Sequence, residues 1–377
     1  MNNIHRLQEL GQSIWLDNID RGMLDSGELK RMIIEEGIGG ITSNPSIFEK
    51  GISKGNHYDA AMIGQLARDP SQSGRELFYE LAIEDIQAAA DLFRPVYESS
   101  KGRDGMVSLE VSPDLAYDIE GTVREAHELW QRVNRSNLMI KVPATREGVA
   151  AIETLIADGI NITATLLFSV ERYLEVAGAF IRGLESRLEK GLNIDGIESV
   201  ASFFISRVDV AVDGQLTADN VDLQGKAAIA NARLAYQQWQ NLFSSERFAS
   251  LAAKGARSQR LLWASTGTKN PEFSDVLYID DLIAPETVNT VPPATLDAYI
   301  DHGTAAQTLM PADGVDQAQS LIHQLESLGI DMAAMAVEQE RQGVELFINS
   351  FNNLIAVVQE KADYMLSDGG AKGKANG

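Results

Sequence analysis

The sequence predicts an α/β fold, a single (β/α)8 barrel of the TIM type with insertions and a C-terminal helical extension. Three observations predict it. About eight short, apolar, β-favouring runs follow one another, nearly all separated by a helical pattern and spaced near ~30 residues. The polar residues of these runs collect at their C-terminal ends, as Asp17, Asn44, Glu110, Lys141, Thr165 and Arg207, and barrel enzymes carry their sites at that end. No G-x-G-x-x-G follows a strand and no Walker-type phosphate loop is present.

In order, Ser13–Ile19 reads as a strand with Trp15 and Asp17 on one face, and Leu24–Glu36 as one amphipathic helix closed by Gly37. Gly40–Ser46 is the next strand, broken at Asn44-Pro45, and a polar connector through Lys54, His57 and Pro70 leads to a long helix from Arg75 to about Tyr97. Strand Val107–Ser112 alternates cleanly, with Ser108, Glu110 and Ser112 sharing a face. Helix Glu120–Val133, strand Asn137–Thr145, helix Glu147–Ala157, strand Asn161–Phe168, helix Val170–Lys190 and strand Ser199–Ile205 continue the alternation. A polar, insertion-like segment over Asp213–Gln224 precedes helix Ala227–Phe243. Strands Arg260–Thr266 and Glu286–Val291 come last, before a helical remainder that is plainest from Met332 to about Lys361. One domain therefore spans 1–366, and the Gly/Lys-rich tail 367–377 is expected to be disordered.

Composition narrows the function. The 377 residues are 44% hydrophobic and 23% charged, ordinary for a well-packed enzyme. No cysteine is present, which removes disulfides, thiolate catalysis and cysteine-ligated zinc together. The five histidines are scattered, so no metal site is expected. A net charge of −22 repels nucleic acid and anionic membrane, and any phosphate site must rest on a few local cations. No apolar run is long enough for a membrane span and the first residues lack a signal-peptide layout, so the cytosol is the expected location.

The chemistry centres on NLMIKVPAT, residues 137–145. Period 2 puts Leu138, Ile140 and Val142 on one face and Met139 with Lys141 on the other, and Pro143 ends the run. Burial disfavours an ammonium and frees a neutral amine to attack a carbonyl. Alone, the stretch equally allows a lysine that snorkels out of a strand end. Asp17 and Glu110 are inward-reading carboxylates, able to handle protons or simply to pair with a cation. Thr163 and Thr165 share a face, and Asn44 is also a plausible turn residue. Arg207 suits bidentate phosphate binding, with Lys269 in the loop STGTKNP a second cation.

Taken together and in order, GITSNPS, VSLEVSPDLAYD, NLMIKVPATREG, GINITATLLFS, SFFISRVD and LLWASTGTKNP resemble the transaldolases, most closely the longer branch of the family, over about Ile14 to Met365. The resemblance implies a Schiff-base transferase of the pentose phosphate pathway. It moves a dihydroxyacetone unit from sedoheptulose 7-phosphate to glyceraldehyde 3-phosphate, giving erythrose 4-phosphate and fructose 6-phosphate, with no cofactor. It implies Lys141 as the imine lysine, Asp17 as acid/base at the cleaved bond, and Glu110 with Thr165 as holders of the water of imine formation. Asn44 and Ser202 would bind hydroxyls, Arg207 the phosphate, and Phe204 would line the pocket; read from the residues alone, Phe204 either keeps the enamine dry or simply fills the barrel core. Thr163 is expected to contact a substrate hydroxyl beside the lysine, although many relatives have Asn there, and the loop after Ala264 lacks a second phosphate-binding arginine, leaving Ser265 and Lys269 to bind substrate.

Other readings are a lysine aldolase that releases free dihydroxyacetone and a non-catalytic barrel that binds sugar phosphates. The second would be expected to lose Lys141, Asp17 or Glu110, and all three are present. Oligomeric state is not legible.

Overall fold

The computed structural model describes residues 2–374, the side chains of 368–374 excepted. Eight parallel strands pair in chain order and close into a barrel. They are β1 (Gln12–Leu16), β2 (Gly40–Ile41), β3 (Met106–Glu110), β4 (Leu138–Pro143), β5 (Ile162–Leu167), β6 (Ser199–Phe204), β7 (Arg260–Ala264) and β8 (Thr287–Val291). Closure sets Gln12–Leu16 beside Thr287–Val291. Every residue of every strand is buried, because side chains pointing out meet the helical ring and those pointing in fill the barrel. The register brings Glu110 beside Lys141 and Lys141 beside Thr163, so three inward positions of neighbouring strands stack at one end.

The strands and most helices lie where the sequence places them, and the differences have local causes. The helix expected over Leu24–Glu36 is broken into Arg21–Asp25, Glu28–Arg31 and a π-helical turn, Met32–Glu36. Gly27 takes φ 78°, a left-handed conformation that ends one helix and starts the next. The strand expected over Gly40–Ser46 stops at Ile41, because Asn44 caps a new helix, Pro45–Ser53, with Pro45 at its first position. The expected polar connector holds that helix and a second, Asp59–Arg68. Helices Asn3–Glu9, Glu246–Ala252 and Leu277–Asp280 were not read from the sequence, and short helical pieces rarely carry a full apolar period. Arg207 belongs to the helix Ser206–Asp213 that follows β6, and the insertion-like segment contains a 3-10 stretch, Ala218–Leu223.

The last helix, Met332–Lys374, runs on into the stretch 367–377 expected to be disordered, of which 375–377 lie outside the described residues. It packs on helices Pro45–Ser53, Gly74–Ser99 and Ser206–Asp213 and on β5. Its buried residues Val344, Phe347, Phe351, Leu354 and Val358 recur at helical spacing and form one stripe against the barrel. No helix among the described residues is long and apolar enough to cross a membrane.

The N-terminal end of the barrel is closed by charge. Arg260, 3% exposed, donates to Ser13 Oγ at 2.9 Å and pairs with Asp104 at 3.1 Å. Asp104 also accepts from Ser13 Oγ at 2.6 Å and Trp15 Nε1 at 3.1 Å. Around them Glu198 pairs with Arg103 at 3.0 Å and Arg257 at 2.7 Å.

Candidate active site

At the opposite end the strands open into a cavity of about 140 Å³, lined by Asp17, Thr42, Asn44, Lys141, Thr165, Ser202, Phe204, Arg207, Ser265, Lys269 and Phe347 among others. Eight different segments contribute, as expected where strand ends converge. Lys141, 5% exposed, reaches up from β4 and donates from Nζ to the Ser43 carbonyl at 3.0 Å. Its nearest carboxylate is Glu110 Oε2 at 3.3 Å. Neither Glu110 oxygen makes a well-directed hydrogen bond, and the Thr165 hydroxyl, also buried, has no partner. Buried polar groups are ordinarily satisfied. This cluster is poised to receive a water or a substrate oxygen.

Burial pushes the Glu110 carboxyl up to about 7, against the opposing pull of Lys141. Asp17, just past β1, is also raised by burial, while the Lys141 charge and the Thr42 hydrogen bond pull it down. Thr42 Oγ1 donates to Asp17 Oδ1 at 2.7 Å and lies 2.6 Å from Thr290 Oγ1, which fixes the carboxylate's rotamer. Two buried carboxyl groups thus act on Lys141, both raised by burial, and Glu110 is the one set to exchange a proton near neutral pH.

The rim differs in kind. Asn44 spends its Oδ1 on the Ile47 N–H as a helix cap at 3.1 Å and turns the rest of its amide to the cavity wall. Ser202, 3% exposed, and Phe204 come from β6, the Phe204 ring lying 5.0 Å from Phe168. Arg207 lies over the Phe204 ring at 5.3 Å, and its only resolved perturbation is burial, which lowers its pKa. No carboxylate pairs with it among the described residues. A desolvated guanidinium in a protein of net charge −22 is a ready anion site. Ser265 sits at φ 56° after β7, its hydroxyl 3.0 Å from Ser206 Oγ, and Lys269 is exposed on the same rim.

Of the residues singled out from sequence, Asp17, Asn44, Lys141, Thr165, Ser202, Phe204, Arg207, Ser265 and Lys269 line this cavity, and Glu110 stands directly behind Lys141. Thr163 does not line it. Its hydroxyl is fully buried one layer down, 3.0 Å from Ser108 Oγ and 3.6 Å from Met139 Sδ. Thr165, two residues on, reaches the cavity where β5 turns irregular: Leu166 has φ 64° and the β5–β6 register shifts between Ala164 and Leu167. Thr42, Thr290 and Phe347 were missed. Thr42 shares the motif GITSNPS with Asn44 and was legible there, whereas Phe347 carries no local signal.

A larger groove of about 630 Å³ lies outside the barrel, along helices Ala227–Phe243 and Gly314–Ser327. Four aspartates, Asp222, Asp281, Asp313 and Asp316, line it against two cations, Lys226 and Arg233, so its charge is net acidic and suits an anionic substrate poorly. Among the described residues no group of three or more His, Asp or Glu side chains is arranged to hold a metal ion.

Comparison with known proteins agrees in one direction. Residues 14–358 match the family model described as transaldolase/fructose-6-phosphate aldolase. The chain is similar to transaldolase 2 of Nostoc sp. strain PCC 7120, at 45% identity over 96% of this chain and 98% of that protein. It is also similar to the transaldolase of Thermobifida fusca, at 47% identity over 95% of this chain and 98% of the relative. A third, the transaldolase of Neisseria gonorrhoeae, is 46% identical over 93% of this chain and 97% of its own length.

Proposed function

The chain belongs to the transaldolase/fructose-6-phosphate aldolase family, and from that premise we propose that it is a transferase of the pentose phosphate pathway, carrying a dihydroxyacetone unit from sedoheptulose 7-phosphate to glyceraldehyde 3-phosphate. The Lys141 amine attacks the ketose carbonyl, loses water and forms an iminium. Asp17 takes the proton of the hydroxyl next to the bond that breaks, and erythrose 4-phosphate leaves. The electron pair of that bond moves into the iminium, leaving an enamine on Lys141. The enamine adds to the aldehyde of glyceraldehyde 3-phosphate, Asp17 returns the proton, and water releases fructose 6-phosphate.

Glu110 and Thr165 hold the water that enters and leaves the imine carbon; their three oxygens lack well-directed partners around Lys141. Asn44 and Ser202 take the hydroxyls of the three-carbon unit. Arg207 takes the phosphate, with Ser265 and Lys269 beside it. The protonated imine is itself the electron sink, so the reaction needs no Lewis acid and no cofactor. The acidic surface disfavours nucleic acid, and the cytosol, where sugar phosphates circulate, is its place of action.

The observation that carries this reading is the buried Lys141–Glu110 pair at 3.3 Å beneath a rim that holds an unpaired arginine. The test is direct. Sedoheptulose 7-phosphate and glyceraldehyde 3-phosphate should yield erythrose 4-phosphate and fructose 6-phosphate in equal amounts, undiminished after prolonged chelation. Free dihydroxyacetone as the main product identifies an aldolase instead. Loss of turnover on chelation with recovery on added zinc contradicts the imine chemistry.

A further inference from the structure

The far end of the chain brings an aromatic ring to the reacting lysine. Phe347, on the helix Met332–Lys374, lines the cavity and is 5% exposed, and Lys141 Nζ stands over its ring at 5.4 Å from the centroid. Its position is set on both sides along the helix. One turn earlier, Gly343 lies against β5 so closely that a Cβ there would stand 2.8 Å from Leu166 Cδ2. One turn later, Phe351 joins Phe48, Phe78, Leu109 and Val111 around an apolar recess beside Glu110. Its ring meets Phe78 edge-on at 5.8 Å. Residues 343, 347 and 351 share one helix face, and that face covers the Lys141–Glu110 pair.

Nothing in the bond-making steps needs a benzyl group at this place. A ring neither donates to a sugar hydroxyl nor orders a water. Its face favours a cation, and its bulk removes solvent from the one position where the bound three-carbon unit is vulnerable. We propose that Phe347 is a specificity-determining residue that keeps a protonating water from the enamine carbon held on Lys141, so that the unit is transferred rather than released; this rests on the transfer reaction assigned above. Release consumes one water. The enamine carbon takes a proton, the iminium carbon takes the oxygen, and the C–N bond to Lys141 breaks, giving the free amine and dihydroxyacetone. Transfer consumes an aldehyde at the same carbon. Access of a proton-donating water to the enamine carbon, against access of the acceptor, decides between them.

The experiment measures dihydroxyacetone released against sedoheptulose 7-phosphate formed, with fructose 6-phosphate as donor and erythrose 4-phosphate as acceptor. Phe347→Ala should raise that ratio by roughly tenfold, equivalent to about 1.4 kcal/mol between the two barriers. Phe347→Leu, which keeps apolar bulk, should raise it less. Tyr364→Ala, on the same helix but 68% exposed, should leave it unchanged. An alanine variant that still traps on Lys141 with borohydride and shows the wild-type ratio overturns the inference. Where the alanine variant does not fold, Phe347→Val carries the same test on the same ratio. Failure of the underlying reading is visible in the wild type alone, as dihydroxyacetone release equal to transfer or as no adduct on Lys141.

Discussion

At the N-terminal end of the barrel the buried Arg260 guanidinium meets Asp104 at 3.1 Å, and the Asp104 carboxylate accepts further from Ser13 and Trp15. At the C-terminal end Lys141 is as deeply buried, yet among the described residues its carboxylate stands at 3.3 Å without a well-directed hydrogen bond, Thr165 has no partner, and Arg207 pairs with no acid. One barrel holds both arrangements, so solvent exclusion alone explains neither. Where donors and acceptors are matched, charge holds strand ends together; where they are left unmatched, the site pays in stability and gains groups free to bind and move protons. Leu166, with its positive φ beside Thr165, adds backbone strain at the same end.

The comparison breaks if the two ends respond alike to substitution. The largest effect should come from Lys141→Met. Turnover falls below detection in the transfer assay, while urea unfolding moves little, because Glu110 can take up a proton instead of standing as a lone buried charge. Arg260→Met should do the reverse. It leaves the half-buried Asp104 without its cation and costs about 1.5–3 kcal/mol of unfolding free energy, with kcat of the folded fraction nearly unchanged. A loss of turnover without loss of stability at Arg260 would erase the distinction between the ends.

Arg207→Ala sharpens it. Removing the unpaired guanidinium should raise KM for phosphorylated substrates by roughly 10- to 100-fold, matching about 1.5–3 kcal/mol for hydrogen bonds to a charged group, with no loss of stability. A fall in stability instead would mean that Arg207 has a protein partner in solution.

The smallest effect is a limb in the pH profile. Glu110 can draw a proton from the Lys141 ammonium, 3.3 Å away, only when ionised, so kcat/KM should rise with pH through about 7, and Glu110→Gln should flatten that limb. Stability runs the other way. The folded-state pKa lies above the ordinary 4.5, so the contribution of Glu110 is fully present below about 4.5 and is lost as pH rises through about 7. Unfolding at pH 5 and pH 8, wild type against Glu110→Gln, checks the sign.

Period-2 alternation made the Lys141 strand and its partners Glu110 and Asp17 legible, because inward and outward residues of a barrel strand have different chemistry. Alternation does not say how deep an inward residue lies. Thr163 and Thr165 share a face, yet one bonds to Ser108 inside the barrel and the other reaches the cavity. The break at Gly27 and the early end of β2 turned on single backbone conformations and a cap, features that compete with an apolar pattern over only a few residues. Phe347 was out of reach for a different reason. It reads as one more apolar position in an amphipathic helix, and only the packing of that helix on the strand ends gives it a place over Lys141.

The account stands on a covalent bond between Lys141 and the substrate, and trapping measures it. Incubation with fructose 6-phosphate and borohydride should reduce the imine and leave a three-carbon, dihydroxyacetone-derived adduct, which peptide mass mapping should place on Lys141 alone. An adduct on Lys269 or on any other lysine, or no adduct while turnover continues, contradicts it.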